Sequence, residues 1–252
     1  MAISRTLINS NLETLTTFLQ TYAASYFSTV SLTDNTITCT TQSGGSFALA
    51  YNTDGKKHTV ITITYDNGTT ETYTYGYSGV SNYTSIVAAW KCAGGILLDM
   101  TCHASNVTNN LMSIIITKTK TNKTAIILPN TMSTSSSAQI NPYTTNVKIC
   151  ALGDQAASTR SFSYATVQQM QLVNFAGNPN YGVSSYTPYA YNAIQAPVTI
   201  AGVYTLEIDG TSYVGEYLWL IADVTPTDSS SNETNEEENS EENSEENSEG
   251  GT

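Results

Sequence analysis

The sequence of 252 residues predicts a mainly β protein. It would have a sandwich- or barrel-like antiparallel body, one N-terminal amphipathic helix and a disordered acidic C-terminal tail. Helical apolar spacing near the start, short alternating runs with turn signals in the middle, and EENS repeats at the end predict this class. We expect a helix over 1–29, a β-rich body over 30–223 that could divide into two subdomains near 105, and a tail over 224–252.

The first element is an amphipathic helix from about Ser4 to Ser28, because its apolar residues recur at helical spacing and polar residues lie opposite. Such a face packs either on the chain's own body or on a neighbouring subunit. The candidate assembly residues on this face are Leu12, Leu15, Phe18, Leu19, Tyr22 and Tyr26.

Short β-like runs begin after the helix. Segments 36–41 and 46–51 flank a Ser-Gly-Gly turn, and segments 58–65 and 69–77 flank Asp66-Asn67-Gly68, a strong hairpin signal. Strict alternation in 58–65 is the period of a half-buried strand.

The most apolar stretch, 85–104, is broken by two glycines, and its first half fits either a short helix or a strand. Further strands are predicted at 146–152 and 162–173. A last meander over 202–223 turns on an Asp-Gly pair, giving about ten to twelve strands in total.

A lysine-bearing hairpin is predicted within MSIIITKTKTNKTAIILPN. A two-residue loop would place Lys120 opposite Lys123, which costs stability. A four-residue loop from Lys120 to Lys123 instead pairs Thr119 with Thr124 and leaves both lysines at the tip. Lys118 then lies on the other face, where the strand leaves the core. The lysines are therefore predicted to be the end of a hairpin and not a binding site.

Charge is distributed unevenly along the chain. Eleven of the 21 acidic residues lie from Asp223 onward, so residues 1–222 hold ten acidic and all nine basic residues. A nearly neutral body has a weak long-range field, which argues against a nucleic-acid partner. The tail is predicted to be a solvated run, with an arm that binds a basic partner as the alternative.

From the sequence we expect neither a secretion signal nor a membrane-spanning helix. The N-terminus has no basic and apolar regions typical of a signal peptide, and no stretch reaches the ~18 apolar residues of a spanning helix. We therefore expect no membrane partner, synthesis in a reducing cytosol, and free buried thiols at the widely spaced Cys39, Cys92, Cys102 and Cys150.

Catalytic signatures do not stand out. Only His58 and His103 could act near neutral pH, and neither has a nucleophile context. No spacing selects a hydrolytic pair among the carboxylates Asp54, Asp66, Glu71, Asp99 and Asp154. Phosphate loops and close metal-ligand pairs are missing from the sequence, so the chain is predicted to be no enzyme and to need no metal or cofactor.

Tyrosine is the residue type that remains as a candidate for a binding surface, with 17 residues in the chain. Tyrosine suits interfaces and sugar-binding platforms, but it also covers β cores. A Pro/Tyr-rich loop provides the candidate contact surface, made of Tyr181, Tyr186, Tyr189 and Tyr191.

The stretches IIITKTKTNKTAIILPN, NVKICALGDQAAST and GVYTLEIDGTSYVGEYLWLIAD, with the Pro/Tyr-rich loop between the last two, carry a family resemblance. Over roughly residues 100–223 the chain resembles uncharacterised virion proteins of phages and prophages from gut-type Gram-positive bacteria. The resemblance implies a non-enzymatic structural protein of the virion, associated with the tail or baseplate. Its partners would be other virion proteins and copies of itself. The alternative is a β-sandwich adhesion module that binds host cell-surface glycan through tyrosine-rich loops.

Overall fold

The computed structural model describes the backbone of residues 3–51, 59–75, 83–104, 107–119, 122–129, 131–134, 137–140, 145–153, 156–162, 168–169, 189–190, 204–208, 211–215 and 219–222. Side chains are described for a smaller set, mainly within 3–51, 59–75, 85–100, 113–119 and 122–128. The described part is mainly β with one short helix, which confirms the predicted class. The tail over 224–252 lies outside it.

The helix α1 spans Leu12–Tyr22. The strands are β1 (Ser4–Leu7), β2 (Thr29–Thr33), β3 (Thr36–Thr40), β4 (Ser46–Tyr51), β5 (Thr59–Thr64), β6 (Thr70–Tyr75), β7 (Tyr83–Cys92), β8 (Gly95–Ala104), β9 (Val107–Lys118), β10 (Thr124–Pro129), β11 (Thr131–Thr134), β12 (Ser137–Ile140), β13 (Thr145–Ala151), β14 (Ala156–Phe162), β15 (Gln168–Gln169), β16 (Tyr189–Ala190), β17 (Tyr204–Ile208), β18 (Thr211–Gly215) and β19 (Trp219–Ala222).

Two antiparallel sheets carry the described core. One has seven strands in the order β1-β7-β8-β9-β10-β13-β14, and the other has five in the order β2-β3-β4-β5-β6. Strands β11 and β12 form a ribbon, and β15-β16-β19-β18-β17 form a further sheet. Among the described strands neither core sheet closes on itself, so the barrel-like form of the prediction is wrong; open sheets around one core are consistent with a sandwich.

The five-stranded sheet follows the predicted alternation. In β5 the side chains of Ile61 and Ile63 are fully buried, while those of the alternate residues Val60, Thr62 and Thr64 are partly exposed. The predicted turn at Asp66-Asn67-Gly68 joins β5 to β6, with Gly68 at a φ of +83°. This hairpin is therefore confirmed.

The stretch 85–104, for which helix and strand both remained open, is a β-hairpin. Strands β7 and β8 pair from Cys92↔Gly95 to Tyr83↔His103. Central residues of the neighbouring β9, Ile114, Ile115 and Ile116, are all fully buried, so both faces of this sheet centre lie inside the protein. Because β8 and β9 pair in one sheet, strands on both sides of residue 105 belong together.

The predicted helix over 4–28 is much shorter in the structure. Its first part is the strand β1, whose residues Ser4 and Leu7 pair with Lys91 and Ala88 of β7. Its last part, after Ala23, is a loop that packs Tyr26 and Phe27 into the core. The aromatic residues there are buried as the pattern requires, but they reach the core from irregular backbone.

The reason for the late helix start is local. Asn9 and Ser10 adopt positive φ values of 48° and 62°, which turns the chain between β1 and α1. The side chain of Asn11 then accepts a hydrogen bond of 2.9 Å from the backbone N–H of Thr14, the ordinary N-cap arrangement. Asn-Ser-Asn is a turn and cap signal, and it outweighs the apolar spacing of the residues before it.

The lysine hairpin is present with a different register. Thr124 pairs with Lys118 instead of Thr119, and the backbone N–H of Thr119 donates to the carbonyl of Lys123 at 2.8 Å. The loop therefore has three residues and ends at Asn122, whose φ is 58°. Asn122 donates its N–H to Thr119 at 3.0 Å, which closes the turn.

Two other hairpins use the same geometry. Thr41 donates to the carbonyl of Gly45 at 2.7 Å, and Tyr65 donates to that of Thr69 at 2.8 Å. The third loop residue has positive φ in each case, at Gly44 and Gly68. Asn122 takes the place of glycine in the third hairpin, because asparagine tolerates the left-handed region better than most residues.

Candidate functional site

The predicted tyrosine surface falls almost entirely outside the described residues. Tyr189 lies in β16, where only its backbone is described, and Tyr181, Tyr186 and Tyr191 are outside the described part. The adhesion hypothesis therefore gains no support from geometry.

The candidate assembly residues of the helix form part of the chain's own core. Leu15, Phe18 and Leu19 are at most 3% exposed and Tyr26 is 6% exposed, while Leu12 and Tyr22 pack against the same cluster. The apolar face of α1 therefore packs on the body of its own chain. Its polar face, which includes Glu13 and Thr17, remains at the surface.

A polar cluster around Glu71 joins the two sheets. The hydroxyl groups of Tyr65 and Tyr73 donate to the two carboxylate oxygens, the former at 3.4 Å, and Lys148 Nζ lies 3.3 Å from Oε2. The Tyr73 hydroxyl is also 3.9 Å from Cys150 Sγ on β13. Glu71 and Tyr73 belong to β6, so these contacts connect the five-stranded sheet to the seven-stranded one.

The chemistry of this cluster favours an ionised carboxylate. Burial opposes ionisation of Glu71, but hydrogen bonds from Tyr73 and the charge of Lys148 outweigh it, so the pKa lies below its usual range. Burial, followed by nearby Cys150, raises the pKa values of Tyr65 and Tyr73, which stay neutral donors. Burial also raises the pKa of Cys150, so its thiol is a poor nucleophile.

A second carboxylate is completely buried within the seven-stranded sheet. Asp99 accepts a hydrogen bond of 2.7 Å from Trp90 Nε1 and one of 2.9 Å from Ser113 Oγ. Each carboxylate oxygen thereby has a donor from a neighbouring strand. This pairing satisfies a group that would be costly to bury alone, and it ties β7, β8 and β9 together.

Asp66 supports the junction of two loops. Its carboxylate accepts the backbone N–H of Gly45 at 3.0 Å, and its own N–H donates to the carbonyl of Leu152 at 3.3 Å. A side chain at Gly45 would clash, since a Cβ there would lie 2.6 Å from Asp66 Oδ1. Asp66 thus has a structural role beyond the turn.

The remaining titratable candidates are only partly described. Asp54, Asp154 and His58 lie outside the described residues, and the side chains of His103 and Cys102 are not described. Cys39, Cys92 and Cys150 are buried thiols that are not in disulfide bonds, as predicted. Within the described ranges, no group of three or more His, Cys, Asp and Glu is placed to hold a metal ion.

Tyr26 lies between two lysines. Lys91 Nζ is 5.2 Å from the centre of its ring and Lys118 Nζ is 5.4 Å from it. Lys91 is buried, and it donates to the carbonyl of Cys92 at 2.7 Å. Thr124 fixes the same segment by donating to the Tyr26 carbonyl at 2.7 Å. Lys118 follows the fully buried Ile116 on its strand face and is only partly buried, with the Tyr26 ring beside its ammonium group.

A surface cleft of about 470 Å³ opens beside Tyr26. We call it the lysine cleft. Its walls are the loop after the helix, the first of the three similar hairpin loops, and the end of the lysine hairpin. The lining residues are Ala24, Ser25, Tyr26, Phe27, Ser28, Thr41, Gln42, Ser43, Lys118, Asn122, Lys123, Thr124 and Gly153.

The lysine cleft was not predicted from the sequence, because its walls come from segments about 100 residues apart. The one available signal was the pair Lys118 and Lys123, interpreted as a hairpin end. The side chain of Lys123 lies over Gly153, where a Cβ would come within 2.8 Å of Lys123 Cδ. The packing of Lys123 on Gly153 and of Lys118 on Tyr26 turns a hairpin end into one wall of a cleft.

Comparison with models of protein families, with curated proteins and with solved structures found no match to this chain. In the described part of the chain, no helix combines the length and the apolar character needed to span a membrane.

Proposed function

We propose that this protein is a non-enzymatic structural component of a bacteriophage virion, associated with the tail or baseplate. It would be made in the bacterial cytoplasm and incorporated into the particle with other virion proteins. The observation that carries the proposal is the use of the described carboxylates. Asp66, Glu71 and Asp99, three of the candidates for a hydrolytic pair, each brace strands or loops against one another.

A sandwich-like body supports the same proposal. The two core sheets are joined by polar contacts at their junction, such as the bond of 3.1 Å from the N–H of Ile86 to the Tyr51 hydroxyl. They also share one apolar cluster with the helix. A body held together in this way suits a protein whose task is to hold a position in an assembly.

Self-assembly would use the open edge of the seven-stranded sheet. Among the described strands, β1 is an edge strand of this sheet and pairs with β7. Ile3 and Leu7 beside this edge are 43% and 56% exposed, unusually high for large apolar side chains of the described body. A second copy of the chain could pair its own edge there and cover both residues.

Sedimentation velocity tests the assembly part of the proposal. We expect the purified full chain to form oligomers and Leu7→Lys to shift it to monomer, because a charge would be placed in the paired edge. Ser31→Lys, on the edge strand β2 of the other sheet, is the matched control and should leave the oligomer intact. A wild-type monomer at every concentration, or an oligomer unaffected by Leu7→Lys, would contradict the proposal.

A further inference from the structure

The charged side chains that line the lysine cleft are both positive. Lys118 and Lys123 both line it, and no acidic residue does so among the described residues. The next residue after its wall at Gly153 is Asp154, which lies outside the described part. Lys148 forms an ion pair with Glu71 at 3.3 Å, and neither residue lines the cleft.

The two ammonium groups interact unfavourably where they stand. Burial lowers the pKa of Lys118, and the nearby charge of Lys123 lowers it further. The ring of Tyr26 lies beside the same ammonium group, with its centre 5.4 Å from Lys118 Nζ. An anion held between the lysines would relieve this repulsion.

Uncharged polar groups line much of the rest of the lysine cleft. They are hydroxyl and amide side chains, contributed by Ser25, Ser28, Thr41, Gln42, Ser43 and Asn122. The hydroxyl of Ser28 donates to the carbonyl of Thr40 at 2.9 Å, so its oxygen can still accept a hydrogen bond. Amides and hydroxyls of this kind bind the hydroxyl groups of sugars, and the volume matches that of pockets for small organic ligands.

We propose that the lysine cleft binds a small anionic carbohydrate, a sugar that carries a phosphate or a carboxylate. The anionic group lies between Lys118 and Lys123, and the sugar hydroxyls contact the serine, threonine and amide side chains of the opposite wall. This inference is independent of the proposed role in the virion, because it depends only on the charge and lining of the cleft.

Isothermal titration calorimetry on the full chain at low salt tests the ligand class. Glucose 6-phosphate and glucuronate represent the two sources of negative charge, and glucose is the neutral control. We expect at least one of the two acids to bind at least tenfold more tightly than glucose and to weaken as salt is raised. Equal affinity for glucose and both acids, or no binding of either acid, would overturn the proposal. Which acid binds identifies the source of the charge.

Variants test the site itself. Lys118→Met and Lys123→Met keep the aliphatic stem but lose the charge, and each should weaken binding of the acid at least tenfold. Lys123→Arg should retain binding, and Lys148→Met, which removes a lysine outside the cleft lining, is the charge-matched control. Thermal unfolding confirms that each variant is folded. Unchanged affinity in both cleft variants, or equal loss in Lys148→Met, would show that the cleft is not the site.

Discussion

At single residues, left-handed backbone conformations determine where the hairpins of this protein turn. Gly44, Gly68 and Asn122 hold the third position of three similar loops, each with positive φ. The turn at Gly68 was predictable, because Asp-Asn-Gly is a strong signal. The turn at Asn122 was not, because asparagine fits several loop lengths and avoiding a lysine pair favoured the wrong register.

The role of Asn122 can be tested by substitution. Asn122→Ala should lower the free energy of unfolding by about 1–2 kcal/mol, since alanine is strained at a φ of 58°. Asn122→Gly is the matched control and should be as stable as the wild type, because glycine adopts this conformation freely. Urea denaturation measures both. Equal stability of the alanine variant would show that the loop geometry is wrong.

A second prediction concerns the pH dependence of stability at Glu71. Because its pKa is lower in the folded than in the unfolded protein, the ionised carboxylate stabilises the fold at neutral pH, and this contribution disappears as pH falls through the folded pKa. Glu71→Gln should cost about 1 kcal/mol or less at pH 7, since the side chain is 33% exposed. The difference in free energy of unfolding between Glu71→Gln and the wild type should narrow below about pH 4.

Tyr73→Phe gives the control for this prediction. It removes one donor to the carboxylate and keeps the charge, so the contribution of Glu71 should be lost at a higher pH than in wild type. Denaturation curves from pH 3 to 7 measure both variants. A Glu71→Gln difference that stays constant over this range would contradict the assigned pKa direction.

At the scale of elements, the spacing of apolar residues explains most of the correct predictions. The errors lie at the ends of the predicted elements. Alternation located β5 correctly, and helical spacing located the buried residues of α1. The same spacing extended the helix over Ser4–Leu7, because a strand with alternating side chains can share apolar positions with a helix over four residues. The local Asn9-Ser10-Asn11 turn and cap separates this segment from the helix, and tertiary pairing with β7 makes it a strand.

We predict that the apolar face of α1 stabilises the fold of its own chain. Leu19→Ala should lower the free energy of unfolding by about 2–5 kcal/mol, because Leu19 is fully enclosed by the core. Thr17→Ala on the exposed face is the control and should change stability by less than about 0.5 kcal/mol. Denaturation combined with sedimentation separates the alternatives. If Leu19→Ala alters the oligomer and leaves unfolding unchanged, the apolar face contacts another subunit.

For the whole molecule, the sequence predicted an antiparallel β body but not how its sheets are joined. The links between Glu71 and Lys148 and between Thr124 and Tyr26 span 77 and 98 residues. The lysine cleft forms from the same long-range packing, so no linear motif could indicate it. The acidic tail is a separate matter, since its composition alone predicts that it is solvated.

The tail prediction can be tested by ending the chain at Asp223. This removes ten of the 21 acidic residues and changes the formal charge from −12 to −2. We expect a midpoint of thermal unfolding within about 2 °C of the full chain, because a solvated tail adds no core. Much earlier elution from an anion-exchange column should accompany it. A drop of several degrees would mean that the tail packs on the body.

The composition of purified particles tests the proposed virion role most directly. Phage particles would be induced from a host that carries this gene, purified by density gradient, and analysed by quantitative mass spectrometry. The proposal predicts that the chain remains with the particles in a fixed ratio to the tail proteins and that deleting its gene yields defective tails. A chain found only in the cell lysate, with complete and infectious particles formed without it, would contradict the proposal.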